Sequence, residues 1–162
     1  MSLAWVSVVE AARARGSFDE AMTVLRDELS QRPNDALVHY QIAWTHDALG
    51  KERDAAPAYE RALALGLAEP ELEGALLGLG STYRCLGEYA KSLAVFERAI
   101  KLYPENRAFR VFKSLCDYNV GHADVAIRAL LTELVETTNS EDIKQYGRAL
   151  LFYSDKLDQK FE

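Results

Sequence analysis

Cysteine is scarce in this chain of 162 residues, and the two that occur, Cys85 and Cys116, form neither a CxxC pair nor any metal-ligand spacing. A disulfide scaffold and a zinc-ribbon fold are therefore excluded, and both thiols are expected to be reduced and structural. Long apolar runs are missing too. No stretch approaches the roughly 20 residues that a bilayer-spanning helix needs. The short LAWVSVV has no cationic flank before it and leads straight into EAARAR, so it is not read as a signal peptide, and a cytoplasmic location is expected. Basic runs are absent as well. With a formal net charge of −6 and a pI near 5.2, the chain has no cluster that would release counterions from a phosphate backbone, so neither nucleic acid nor membrane is expected as a partner.

Catalytic signatures are equally thin. His39 and His46 stand seven residues apart with no HExxH and no third ligand, and are expected to be core histidines. His122 is expected in a solvated turn. No GxSxG, no Cys/His/Asn set and no glycine-rich phosphate loop occurs. No metal, no cofactor and no enzymatic activity are expected.

What is present is repetition. The chain is 49% hydrophobic and long enough for one domain, residues 1–162, with a continuous core. Gly16, Gly50, Gly87 and Gly121 are spaced by 34, 37 and 34 residues, and the same intervals recur for later landmarks. Five residues on stand Ala21, Ala55, Ser92 and Ala126; four further come Leu25, Tyr59, Phe96 and Leu130; four further again come Leu29, Leu63, Ile100 and Leu134. Pro33 and Pro104 close the first and third units, and Leu67 replaces the proline in the second. The single length change, around Leu67–Leu72, falls between units, where insertions are tolerated.

Within each unit the spacing predicts two helices. Leu76, Leu79, Gly80, Tyr83 and Leu86 make one apolar stripe, and Tyr89, Leu93, Phe96, Ala99 and Ile100 make a second beyond Gly87. The glycine suits a left-handed turn residue, and the small residue five positions later lets the helices cross closely. In the second unit the first helix is expected to pack through His39, Ile42, Ala43, His46 and Leu49. In the fourth, strict spacing puts Arg110, Lys113 and Asp117 on the stripe, whereas Phe109, Phe112 and Cys116 keep one a residue earlier; a one-residue shift is expected there. After residue 137, Ser140 suits an N-cap and Ile143, Tyr146, Leu150, Tyr153 and Leu157 form a stripe, which predicts a capping helix over about 140–158. Phe152 lies on its other side and suggests a dimer contact.

A helix-turn-helix of 34 residues with these landmarks resembles the tetratricopeptide repeat, over units of about 2–35, 36–72, 73–106 and 107–137. The third unit, with Leu79-Gly80, Tyr83, Leu86-Gly87, Phe96, Ala99 and Pro104, matches best, and Trp5 occupies the family's tryptophan position in the first. The resemblance implies an all-α, right-handed superhelical solenoid of antiparallel helix pairs whose first helices line a concave groove for a peptide or helix of a protein partner. Positions turned away from the apolar stripe then select groove candidates. These are Val6, Glu10 and Arg13; Leu37, Tyr40, Trp44 and Asp47; Leu77, Ser81 and Arg84; and Val111, Leu115 and Tyr118. Tyr40, Trp44 and Leu77 are large and apolar with no role inside their own unit, as binding anchors are. The chaperone-tail subfamily's Lys/Asn/Arg clamp is not matched, since Val6, Glu10, Trp44 and Gly74 stand where its Lys, Asn, Asn and Lys would be. The expected function is a non-catalytic interaction module. The alternatives are a self-associating scaffold, such as a homodimer, and a regulatory subunit of an enzyme.

Overall fold

A computed structural model describes residues 4–161; residues 1–3, which include the start of the first expected repeat, and residue 162 lie outside the described residues. Every regular element in it is helical: α1 Ala4–Ala14, α2 Phe18–Gln31, α3 Ala36–Ala48, α4 Glu52–Ala64, α5 Glu71–Cys85, α6 Tyr89–Leu102, α7 Ala108–Asn119, α8 Ala123–Thr137, α9 Glu141–Lys144 and α10 Gly147–Tyr153. The chain divides into two compact units, Met1–Glu88 with α1 to α5 and Tyr89–Glu162 with α6 to α10. In the first unit α1 packs on α2 and α3 on α4; in the second α7 packs on α8.

The turns repeat one device. Gly16, Gly50, Gly87 and Gly121 have φ of +75°, +65°, +77° and +89°, where an L side chain costs roughly 1–2 kcal/mol. The next residue's N–H reaches back to a carbonyl of the last helical turn: Ser17 to Ala12 at 2.8 Å, and Lys51 to His46, Glu88 to Tyr83 and His122 to Asp117 at 2.9 Å each. Helix-end carbonyls are thereby satisfied while the chain reverses. Gly66 closes α4 in the same way, with Leu67 N–H donating to Ala62 O at 3.1 Å, and the inserted residues follow it.

The small landmark residues Ala21, Ala55, Ser92 and Ala126 are all buried. First helices, however, bury more than the single stripe expected. On α3 Val38 and Ile42 turn to the core of Trp5, Val9, Ala12 and Leu25, and Thr45 is buried on the same side against Arg13, while Ala43 is buried beside them. His39 and His46 are only half-buried and Leu49 is exposed, which corrects the stripe expected for this helix. A helix held between a preceding pair and its own partner is covered over a wide arc, and one-stripe arithmetic finds only part of it. On α5 the two stripes are Ala75, Leu79, Thr82 and Leu76, Gly80, Tyr83, all buried.

The same two sets of positions are buried or half-buried on α7, Phe109, Lys113 and Cys116 beside Arg110, Ser114 and Asp117, without any shift, a correction to the expected register. Phe109 stacks on Tyr103 with ring centroids 5.9 Å apart, Phe112 approaches Phe96 at 6.4 Å, and Cys116 Sγ lies 3.5 Å from Tyr89 O. Arg110, Ser114 and Asp117 keep the strict positions of Leu76, Gly80 and Tyr83. Their charge is tolerated because it is paired: Arg110 Nε donates to Glu133 Oε1 at 2.6 Å, Arg107 Nη1 to Glu133 Oε2 at 2.8 Å, and Lys113 Nζ to Asp117 at 3.0 Å.

The C-terminal segment also departs from expectation. Instead of one helix over 140–158 there are two short ones, and the inward stripe is Ile143, Gly147, Leu150 and Ser154, with Tyr146, Tyr153 and Leu157 exposed. Gly147 is buried so close to Val135 that a Cβ there would stand 3.1 Å from the valine side chain, which selects this register. Phe152, Tyr153 and Phe161 form an exposed three-ring cluster with centroids 5.2 to 6.0 Å apart.

Candidate functional site

In the first unit the candidate residues of α1 and α3 meet around one guanidinium. Arg13, in the last turn of α1, lies over the Trp44 ring with its Cζ 3.9 Å from the centroid. Its Nη1 donates to Thr45 Oγ1 at 3.1 Å and to Gln41 O at 3.3 Å, and its Nη2 to Gln41 Oε1 at 2.5 Å. Burial lowers the Arg13 pKa from its usual value and nearby Glu10 opposes this, so the cation is held by its fixed acceptors and the π-face rather than by a facing carboxylate salt bridge. Trp44 stacks on Tyr40 with centroids 6.2 Å apart yet remains 42% exposed. Beside it a cleft of about 370 Å³ is lined by Glu10, Arg13, Ala14, Phe18, Trp44 and Ala48.

Other candidates take different places. Val6 and Leu37 pack partly against the core of Trp5, Val9, Leu25 and Val38. Tyr40 is half-buried, with Tyr59 of its own repeat at 6.2 Å and its hydroxyl directly over Gly74 of the next, so it fills space between helices, a correction to the expectation that it has no role inside its own repeat. Asp47 accepts from Thr82 Oγ1 at 3.2 Å and from Tyr59 OH at 3.3 Å. Burial raises its pKa and these two hydrogen bonds oppose the rise. Leu77, Ser81 and Arg84 are half-buried on α5. In the second unit Val111, Leu115 and Tyr118 share one face of α7, with Leu115 and Tyr118 exposed. Ala14, Phe18 and Ala48 were not selected from sequence. Phe18 opens α2, a second helix, whereas the expected groove is lined by first helices.

His39 Nε2 lies 2.9 Å from Pro33 O, and His46 is pushed toward the neutral form by burial. Among the described residues no group of three or more His, Cys, Asp or Glu is placed to hold a metal ion, and no helix is long and apolar enough to cross a membrane. The chemistry on offer is an apolar shelf bordered by one fixed cation and one carboxylate. Such a shelf can hold an apolar side chain and orient a polar neighbour.

The family model described as Tetratrico peptide repeat matches residues 36–157. The chain belongs to the tetratricopeptide repeat family. Its fold is accordingly the all-α, helix-pair arrangement of tetratricopeptide repeats, and that membership makes it a protein-interaction or scaffold module. No curated protein sequence matches the chain significantly. Among solved structures it is similar to MamA 41-end from Desulfovibrio magneticus RS-1, at TM-score 0.72 and 17% identity over 97% of this chain and 96% of that one. It is also similar to the MamA RS-1 ArsTM double mutant, at 0.68 and 16% over 96% and 94%. A further MamA crystal structure gives 0.54 and 18% over 89% and 92%. At such identities the likeness is one of fold.

Proposed function

We propose that this tetratricopeptide repeat protein is a non-catalytic, cytoplasmic adaptor that holds a peptide or helix segment of a protein partner, with Trp44 as the anchor of its contact. The observation that carries the reading is the half-open indole of Trp44, held by Arg13 at the edge of an apolar cleft. A large aromatic ring left in water is costly unless something covers it, and a ring pre-oriented by a cation loses little freedom when covered. Ala14, Phe18 and Ala48 extend the apolar contact, and Glu10 at the cleft rim favours a ligand with a basic or donor group beside its apolar side chain. The unpaired thiols Cys85 and Cys116 suit a reducing compartment.

The test is to capture a partner from the native host, reduce its contact region to a peptide, and add that peptide to labelled protein in an NMR titration. Shifts are expected to centre on the Trp44 indole N–H, Arg13 and Phe18. Shifts confined to residues 123–161 would overturn the assignment.

A further inference from the structure

One face of each of the first three second helices meets the first helix of the following repeat. Leu25 is fully buried in one core with Val38 of α3, and the Tyr59 ring lies against Gly78 of α5. Phe96 meets Phe112 of α7. Three residues at one repeat position therefore insert against the next first helix. The fourth, Leu130, meets no such helix among the described residues, and with Ile127 and Leu134 it forms an apolar stripe on α8 that is 42%, 37% and 41% exposed at Ile127, Leu130 and Leu134. The counterparts of Ile127 and Leu134 in the earlier units, such as Ala56 and Leu63, are buried or half-buried.

The C-terminal helices do not fill this place. α10 packs where Gly147 meets Val135, and Val135 stands at the position of Ser30, Ala64 and Lys101, each of them exposed. That is the outer side of a second helix, not the side that meets a following unit.

The complementary half of the same contact is also open in this chain. The stripe through which α3 meets the preceding pair, Val38, Ile42 and Thr45, corresponds on α1 to Ala4, Val8 and Ala11, which are exposed, Val8 by 46%. Ser7 stands at the position of Gly78 and Phe112, which meet Tyr59 and Phe96 of the preceding second helices. Its small side chain leaves room for a leucine.

We propose that the chain associates head to tail, the α8 stripe of one copy packing on the α1 stripe of the next as one unit packs on its successor. The occupant is a second copy because this chain presents both halves of a contact that it already makes within itself. Such a contact is heterologous, joining two different patches, so it does not stop at a dimer but extends to open chains or a ring.

Sedimentation velocity across a dilution series, with wild type, Val8→Glu, Leu130→Glu and an equimolar mixture of the two variants, tests this. Both substitutions place a charge on a surface that is exposed in the free chain, and circular dichroism checks that each variant folds. Wild type is expected to grow beyond dimer with concentration, and each variant alone to remain monomeric. The mixture is expected to give a dimer and nothing larger, since each variant keeps the half that the other has lost. A wild type that stays monomeric throughout would overturn the proposal. So would Val8→Glu associating like wild type, the sign of an isologous contact through α8 or through the Phe152 ring cluster. Phe152→Ser is expected to associate as wild type does.

Discussion

At the scale of single residues, Trp44 and Gly78 show how exposure separates two roles for large rings. The Trp44 ring is held by Arg13 and Tyr40 yet stays 42% exposed, so Trp44→Ala should leave helicity and melting temperature nearly unchanged while weakening the partner peptide by about 2 kcal/mol. Isothermal titration beside circular dichroism measures both; a large drop in melting temperature with affinity intact would make Trp44 a packing residue. Tyr59 is the opposite case. Its fully buried ring occupies the space that a Cβ on Gly78 would need. Alanine gains about 1 kcal/mol of helix propensity over glycine, but here it must displace a ring with nowhere to go. Gly78→Ala is expected to destabilise by about 1–3 kcal/mol in urea melts, and to become neutral or favourable beside Tyr59→Leu, which vacates the space.

At the scale of helices, close crossing and charge pairing set different sensitivities in the two compact units. Ala55 is wholly buried where α4 meets α3, so Ala55→Leu should cost about 1–3 kcal/mol, and an unchanged melting temperature would contradict that crossing. The α7–α8 pair depends instead on Glu133. Burial pushes its pKa up, but the hydrogen bonds from Arg110 and Arg107 together hold it below the ordinary carboxylate value. A depressed folded pKa means that the stabilisation is complete above the unfolded value of about 4.3 and is lost as pH falls through the folded value. Melting temperature followed by circular dichroism should therefore drop in that acid range, with a smaller drop in Glu133→Gln. The pairing also explains why this helix pair was hard to read. Arg110, Lys113 and Asp117 looked misplaced on a hydrophobic stripe, but Arg110 is paired with Glu133, 23 residues on and on another helix, and Lys113 with Asp117.

At the scale of the molecule, apolar burial is uneven. Among the described residues most of the fully buried apolar side chains lie before Glu88, and most of the exposed large ones lie after it. The second unit should therefore open at lower free energy. Hydrogen exchange by mass spectrometry is expected to show α3 to α5 as the most protected segments, α6 to α8 as less protected and α9 and α10 as the least. Uniform protection along the chain would contradict this. At concentrations where copies associate, protection of α1 and α8 is expected to rise together.

The repeat period, the turn glycines, the buried small residues and the helix pairs were determined by the sequence alone, because each follows from local chemistry: a positive φ at Gly16 or Gly121, an apolar face at helical spacing, a close crossing at Ala21 or Ala55. What lies between one unit and the next was decided only by tertiary structure. Whether Tyr40 lines a groove or fills a gap depends on Gly74, 34 residues away, and whether Arg110 is an intruder or a partner depends on Glu133. The C-terminal helices make the same point. Their stripe pointed to an apolar face to cover, but α8 offers two, and the close fit of Gly147 on Val135 placed them on the outer one, leaving Leu130 open.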